Sequence, residues 1–258
     1  MQVRRFPLLL LLLTLWIPSA VHAAPAATTS AQTEDQFDQD FEADFADDFS
    51  DEAEKVLISD PLEGYNRGMF WFNDKLYFYL LKPVARGYRV VPRPVRQSVG
   101  NFFSNLSSPV SIVNSVLQLR FKKAGRGFTR LFVNTIIGVG GLFDPAEKWG
   151  KLPAEKEDFG QSLGHYGVGS GPYFVLPLLG PSSIRDTGGL FVDTIFDPMT
   201  YISRSLTFGE YAAIRGGEVV NRLSLDDDSY EKIKRDSLDP YLFMRAAYAQ
   251  YRLAKIKE

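Results

Sequence analysis

Between Tyr65 and Leu81 the side chains of Phe70, Trp71, Phe72, Tyr77, Phe78 and Tyr79 fall on every face of a helix. A helix that is apolar all round is either deeply buried or lies against lipid. The rest of the sequence limits how lipid could be met. Beyond the N-terminal apolar run, the longest apolar stretch is Leu131–Phe143, and Asn134 and Thr135 interrupt it. A bilayer-spanning helix needs about 20 apolar residues, so nothing there crosses as one helix. Insertion into a single leaflet needs only an apolar face, and that remains open.

The N-terminus reads as an export signal. Arg4 and Arg5 precede Leu8–Leu13, with Leu15, Trp16 and Ile17 extending the run; Pro18 breaks it, and Val21-His22-Ala23 supplies the small residues of a cleavage site. Charged start, short apolar run and small-residue site together predict a cleaved signal over residues 1–23; a retained membrane anchor is the alternative. Residues 24–54 form a low-complexity linker with eleven acids and no base, in which Phe37, Phe41, Phe45 and Phe49 recur every four residues. Like-charge repulsion predicts a disordered spacer. The alternative is a segment that folds against a basic, aromatic-accepting surface. Residues 55–258 hold 27 bases and 20 acids, a balance of +7 hidden by the overall charge of −2. No cysteine is present, which excludes thiol chemistry, disulfides, Cys-ligated metals and a thioether lipid anchor from this sequence.

From residue 55 the pattern is mainly helical. Asp60-Pro61 predicts a capped helix start, and Pro83, Pro92 and Pro94 are expected to break the helix that follows. Val95, Val99, Phe102, Phe103 and Leu106 keep helical spacing, as do Val110, Val113, Val116 and Leu117, and then Phe128, Leu131, Phe132, Thr135 and Ile136. The last series runs into an apolar Gly-rich turn, Ile137-Gly138-Val139-Gly140-Gly141-Leu142-Phe143. Residues 160–180, rich in Gly and Pro, predict loop or short strand. Arg185–Ile195 and Phe208–Leu223 read as helices. A last helix opens at Asp239-Pro240, with Tyr241, Met244, Tyr248 and Tyr251 on one face.

Three chemical signatures are weak. Gly160-Gln161-Ser162-Leu163-Gly164 matches a nucleophile elbow, but the elbow needs a buried strand before the serine, and residues 151–158 are charged. A lipid-active serine hydrolase using Ser162 and His165 is therefore the disfavoured alternative, as is a non-catalytic envelope scaffold. Gly167-Val168-Gly169-Ser170-Gly171 lacks the βαβ setting and downstream acid of a dinucleotide site. Asp226-Asp227-Asp228 lacks the sharp-turn Gly of a calcium loop and reads as a solvated helix start. No metal site and no cofactor is expected. Lys122, Lys123, Arg126 and Arg130 bracket the apolar Phe128–Phe143 segment, where bases suit lipid phosphates. Export disfavours nucleic acid.

Several blocks in order carry a family likeness. Asp60-Pro61-Leu62-Glu63-Gly64-Tyr65-Asn66-Arg67, Asn101–Leu106, Arg130–Gly138, Gly160–Tyr173 with its Gly164-His165-Tyr166-Gly167 centre, Arg185-Asp186 and Asp239-Pro240-Tyr241 resemble the MlaA (VacJ) family of outer-membrane phospholipid-asymmetry proteins. The resemblance covers about 180 residues. It implies a mainly α, ring-like single domain embedded in one membrane leaflet, with a Gly-rich apolar hairpin, short irregular segments and an amphipathic channel. It implies transport rather than catalysis: removal of mislocalised phospholipids from the outer leaflet and delivery to a periplasmic lipid shuttle (MlaC-like), beside a porin-like trimer at the outer membrane. By the same likeness Ile137, Gly138, Val139, Gly140, Gly141, Leu142 and Phe143 are candidates for the lipid channel, with Arg130, Asn134 and Arg185 as headgroup contacts. Asp60, Pro61, Asn66, Arg67, Gly164, His165, Tyr166 and Gly167 belong to the family's structural motif, and Asp60 and Arg67 are candidates for tying the first helix to the ring. Family members usually carry a lipidated N-terminal cysteine, so anchoring here is expected to rest on the ring, a partner or the signal helix.

Overall fold

Proline marks where five of the helices begin. The computed structural model describes residues 58–226 and 228–258, and the export signal and the acidic linker lie outside the described residues. Within them Pro94, Pro109, Pro145, Pro198 and Pro240 each sit in the first turn of a helix, where a missing N–H costs nothing and φ is already set. Asp144, Asp158, Ser183, Asp197 and Asp239 cap helices by accepting from backbone N–H groups, and Thr207 with Glu210 forms a reciprocal capping box.

The helices are α1 (Glu63–Leu76), α2 (Lys82–Tyr88), α3 (Arg93–Leu106), α4 (Ser108–Leu117), α5 (Phe121–Ile136), α6 (Pro145–Lys148) and α7 (Phe159–His165). An antiparallel hairpin follows, β1 (Tyr173–Leu176) and β2 (Gly180–Ser183). The chain ends with α8 (Ile184–Phe196), α9 (Pro198–Ile202), α10 (Phe208–Leu225), α11 (Ser229–Asp236) and α12 (Pro240–Lys257).

Three local expectations are corrected. Asp60 does not cap α1, which starts at Glu63 behind Leu62 without a side-chain cap. The Asp60 carboxylate instead accepts from Asn66 at 2.7 Å, from Arg245 at 3.0 Å and from the Tyr241 hydroxyl, because a cation and two donors outweigh one backbone N–H. Pro83 does not end the helix. A π-helical turn, Tyr77–Leu81, joins α1 to α2, and the Lys82 N–H reaches back to Tyr77; this register shift accommodates the proline, which has no N–H to donate and would clash one turn back. Residues 160–180 are not all loop, since α7 runs through Gly160 and Gly164. Both glycines are required by close packing: a Cβ at 160 would stand 2.4 Å from the Asp186 carboxylate, and one at 164 would stand 2.4 Å from Ile256.

The packed elements close on themselves. Helix α2 packs on α10, α10 on α3, α3 on α5, α5 on α4, α4 on α7, α7 on α12, α12 on β2, and β1 on α1, which leads back to α2. The seam between α1 and β1 is made by two asparagines seven residues apart, two turns on one face. Asn66 donates to the Tyr173 carbonyl at 3.1 Å and accepts from the Val175 N–H at 2.8 Å. Asn73 does the same for Leu176 and Leu178. The two amides satisfy backbone groups that a third strand would otherwise take.

Polarity in this ring is turned inside out. The buried apolar clusters are small: Tyr77, Ala85, Val219 and Leu223 in one, Tyr173, Val175, Tyr241 and Tyr248 in the other. The inward helix faces bury Asn66, Asp74, Arg96, Asn114, Arg130, Asn134, Asn221 and Arg252. Trp71, Tyr79, Phe128, Phe132 and Ile136 stand outside, each more than half exposed. Large apolar side chains left exposed in this number suit contact with a membrane or a partner. Among the described residues no helix is long and apolar enough to cross a bilayer.

Candidate functional site

The Gly-rich turn after α5 is a short apolar hairpin held from below. Val139, Gly140 and Gly141 all have positive φ, and the reversed chain is closed by the Gly140, Gly141 and Phe143 N–H groups donating to Thr135, Asn134 and Gly138. Ile137, Val139 and Phe143 project into the surroundings more than half exposed. Gly138 is buried, and a Cβ there would stand 2.4 Å from two backbone oxygens. Gly141 rests on Asn105 of α3, whose Cβ would be 2.5 Å from an added one.

Below the hairpin, Asp144 gathers the polar residues that the sequence assigns to headgroups. It accepts from Arg130 at 2.6 Å, from Asn134 at 2.9 Å and from the Glu147 N–H at 3.0 Å. Arg130 also donates to the Leu152 carbonyl, and the Asn134 oxygen accepts from the Ala146 N–H. Burial alone would raise the Asp144 carboxyl, but these donors outweigh it and hold the group below the usual carboxylate range. Arg185 is similarly engaged, donating to Asp186 at 2.7 Å and to the Val168 carbonyl at 3.2 Å. Arg67 bridges Glu63 and Asp239 and lies over the Tyr241 ring. Of the bases around α5, Lys123 and Arg126 pair with Glu155 and Glu157. These cations therefore hold elements together, as buried or half-buried charges must find partners.

Above this network α3 has two faces. Asn101, Ser104 and Asn105, with Ser107, Ser108 and Ser111 beyond them, face α5 and residues 154–156 across a polar cavity with about 40 Å³ of free space. Asn105 donates to Thr135 at 3.0 Å while its side-chain oxygen, buried in the same cavity, has no partner among the described residues. Val99 and Phe103, on the other face of α3, meet Val84 and Tyr88 of α2 and Ile214, Gly217 and Val220 of α10 around an open apolar cavity of about 450 Å³. One helix thus separates a hydroxyl- and amide-lined space from a hydrocarbon-lined one.

The nucleophile motif has no catalytic geometry. Ser162 lies inside α7, buried, where its hydroxyl donates to the Asn114 oxygen at 2.8 Å and accepts from Gln118 at 3.2 Å. His165 is exposed beside Tyr166. The surrounding knot is structural: Asp158 accepts twice from Arg252, and Asp193 accepts from Asn114 and the Phe159 N–H. Burial and the neighbouring Asp158 push the Asp193 carboxyl up to about 7.

Residues 58–255 match the family described as MlaA lipoprotein. The chain is 41% identical over 196 residues to the intermembrane phospholipid transport system lipoprotein MlaA of Shigella flexneri, covering 74% of this chain and 76% of that one. Identity, length and coverage are the same for the protein of that name from Escherichia coli (strain K12). The Haemophilus influenzae protein of that name is 32% identical over 203 residues, 78% of this chain and 80% of the relative. A solved structure, from work on the structural basis for maintenance of bacterial outer membrane lipid asymmetry, aligns with a TM-score of 0.67 at 42% identity, covering 77% of this chain and 99% of that one.

Proposed function

The chain belongs to the MlaA lipoprotein family, and on that premise we propose that it transports phospholipid between membranes and so maintains outer-membrane lipid asymmetry. The observation that carries this reading is the inverted polarity: buried amides and ion pairs line the inner faces of a closed ring whose outer faces present Trp71, Phe128, Phe132 and Ile136. A lipid needs a polar path for its headgroup and an apolar path for its tails, and α3 divides two such spaces.

In this reading the ring sits at the periplasmic face of the outer membrane. Each large apolar side chain moved from water into acyl chains contributes about 1.5–3 kcal/mol, so the outer surface supplies its own attachment. Ile137, Val139, Leu142 and Phe143 of the hairpin contact acyl chains at the mouth of the channel. Misplaced outer-leaflet phospholipid enters there and leaves toward a periplasmic lipid shuttle, with a porin-like trimer as the outer-membrane neighbour. Arg130 and Asn134 serve by fixing the hairpin. The experiment is transfer: purified protein in vesicles carrying labelled phospholipid, mixed with the purified shuttle. Labelled lipid on the shuttle, dependent on the chain, supports the reading; no transfer above protein-free vesicles refutes it. Alkaline carbonate treatment of membranes tests the seating, and full release into the soluble fraction would contradict it.

A further inference from the structure

Arg130 holds two projections with one guanidinium. Besides Asp144 at the root of the hairpin, it donates to the Leu152 carbonyl, where the turn that follows α6 ends. That turn, Lys148-Trp149-Gly150-Lys151, is tightly fixed. The N–H groups of Trp149, Gly150, Lys151 and Leu152 donate to the carbonyls of Pro145, Ala146, Glu147 and Ala146 at 2.9–3.2 Å. A Cβ at Gly150 would stand 2.8 Å from the Ala146 carbonyl, and Lys151 is kept at a φ of 49°, left-handed for a residue with a side chain. Such backbone persists only where its surroundings hold it.

What this turn presents is not used in packing. Pro145 and Ala146, one turn back, are buried, whereas Trp149 is 74% exposed and Lys148 and Lys151 are exposed beside it. Neither lysine has an ion pair among the described residues, and the indole meets no other ring there. Glu147 is exposed on the same short helix, so two bases stand against one acid. Indole has an apolar body and a polar N–H, and Trp accordingly collects at membrane–water boundaries. Ammonium groups at that depth meet the phosphates of anionic lipids.

The neighbouring hairpin says on which side the hydrocarbon lies. Ile137, Val139 and Phe143 are apolar and more than half exposed, and α6, a single turn about 6 Å long, stands between them and Trp149. The headgroup layer is of similar thickness, about 5–8 Å from the difference between a bilayer's full and hydrocarbon widths. The geometry points to a headgroup anchor, Lys148, Trp149 and Lys151, that binds the phosphates of anionic lipids at the membrane surface and sets how deep the hairpin enters the acyl chains. Two unpaired bases around one indole, continuous with an apolar projection, fit a lipid surface rather than a protein groove. This rests on the membrane seating proposed above and adds to it which residues meet the surface.

The tryptophans are Trp16, Trp71 and Trp149, so Trp16→Phe with Trp71→Phe leaves Trp149 as the sole indole. The purified full chain is inserted into phosphatidylglycerol vesicles whose acyl chains are brominated either near the headgroup or near the chain end. Trp149 emission should be quenched more by the shallow bromines. Phe143→Trp, in the same background with Trp149→Phe, should be quenched more by the deep ones. Lys148→Gln with Lys151→Gln should weaken partition into phosphatidylglycerol vesicles about thirtyfold, at about fivefold per lysine, and leave partition into phosphatidylcholine vesicles unchanged. Arginine at both positions should keep the binding. Trp149 unquenched, or quenched more from the deep position, while Phe143→Trp is quenched, would overturn the anchor and leave the seating standing. Unchanged phosphatidylglycerol binding in the glutamine variant, or equal loss to both lipids, would overturn the lysines as phosphate ligands. Neither indole quenched would overturn the membrane seating itself.

Discussion

Arg130 and Asp144, 14 positions apart in the sequence, meet at 2.6 Å across the base of the apolar hairpin. The pair converts a flexible Gly-rich turn into a fixed projection, because α5 and the chain returning from the hairpin are joined at one carboxylate. Removing one partner of a half-buried pair leaves the other uncompensated, at about 3–5 kcal/mol when burial is complete and less here. Asp144→Ala should therefore lower the melting temperature and open the hairpin to protease near Phe143. Arg130→Met, which removes the cation, should do the same.

The acid limit of this clamp follows from its direction. The Asp144 carboxyl is held below its usual range in the fold, so its contribution is present above the unfolded value of about 3.9 and lost as pH falls through the folded one. Protease protection of the hairpin should be constant between about pH 5 and 8 and fail only in stronger acid.

Asp193 should act in the opposite sense. Its carboxyl is pushed up to about 7 by burial and by Asp158, so the folded chain keeps a proton that the unfolded chain releases near pH 4. Stability from this group declines as pH rises from about 4 to 7, by at most about 1.4 kcal/mol per unit. Asp193→Asn keeps an acceptor for Asn114 and Phe159. It should flatten the denaturant midpoint against pH across that window, whereas an unaltered slope would assign the effect elsewhere.

The hairpin glycines should rank by what a methyl group meets. Gly140 has open space and only a positive φ to satisfy, so Gly140→Ala should cost about 1–2 kcal/mol. Gly138→Ala brings Cβ against two backbone oxygens and Gly141→Ala against Asn105. Both should cost more, read as larger falls in melting temperature.

Ser162→Ala separates transport from hydrolysis. It removes a buried hydroxyl that bonds Asn114 and Gln118, at about 1–3 kcal/mol, and should leave lipid asymmetry intact in cells. Loss of function with an unchanged melting temperature would instead restore the nucleophile.

The helices over Val95–Leu106 and Pro240–Lys257, and the Phe128–Ile136 part of α5, were legible because apolar period and first-turn proline act locally. The polar interior was not. Asn66 and Asn73 sit seven apart within an otherwise aromatic helix, a stripe visible in the sequence, but their partners lie about 100 residues away on β1 and its turn. Aromatics on every face of Tyr65–Leu81 hid that inward stripe. The headgroup candidates Arg130, Asn134 and Arg185 came with the family likeness, and a likeness does not reveal which cations already have a carboxylate.

The central claim is that phospholipid passes through the polar interior of the ring. The sequence has no cysteine, so single cysteines can be placed without background: Ser104→Cys in the polar cavity and Phe132→Cys on the outer face. Outer-leaflet phospholipid is then read by phospholipase accessibility on intact cells of a deletion strain carrying each variant, before and after a bulky, reducible thiol reagent. Blocking Cys at 104 should raise the signal to the level of the deletion, reduction should reverse it, and labelling at 132 should leave it unchanged. A fully labelled variant at 104 that keeps outer-leaflet phospholipid as low as the unmodified chain would contradict the account.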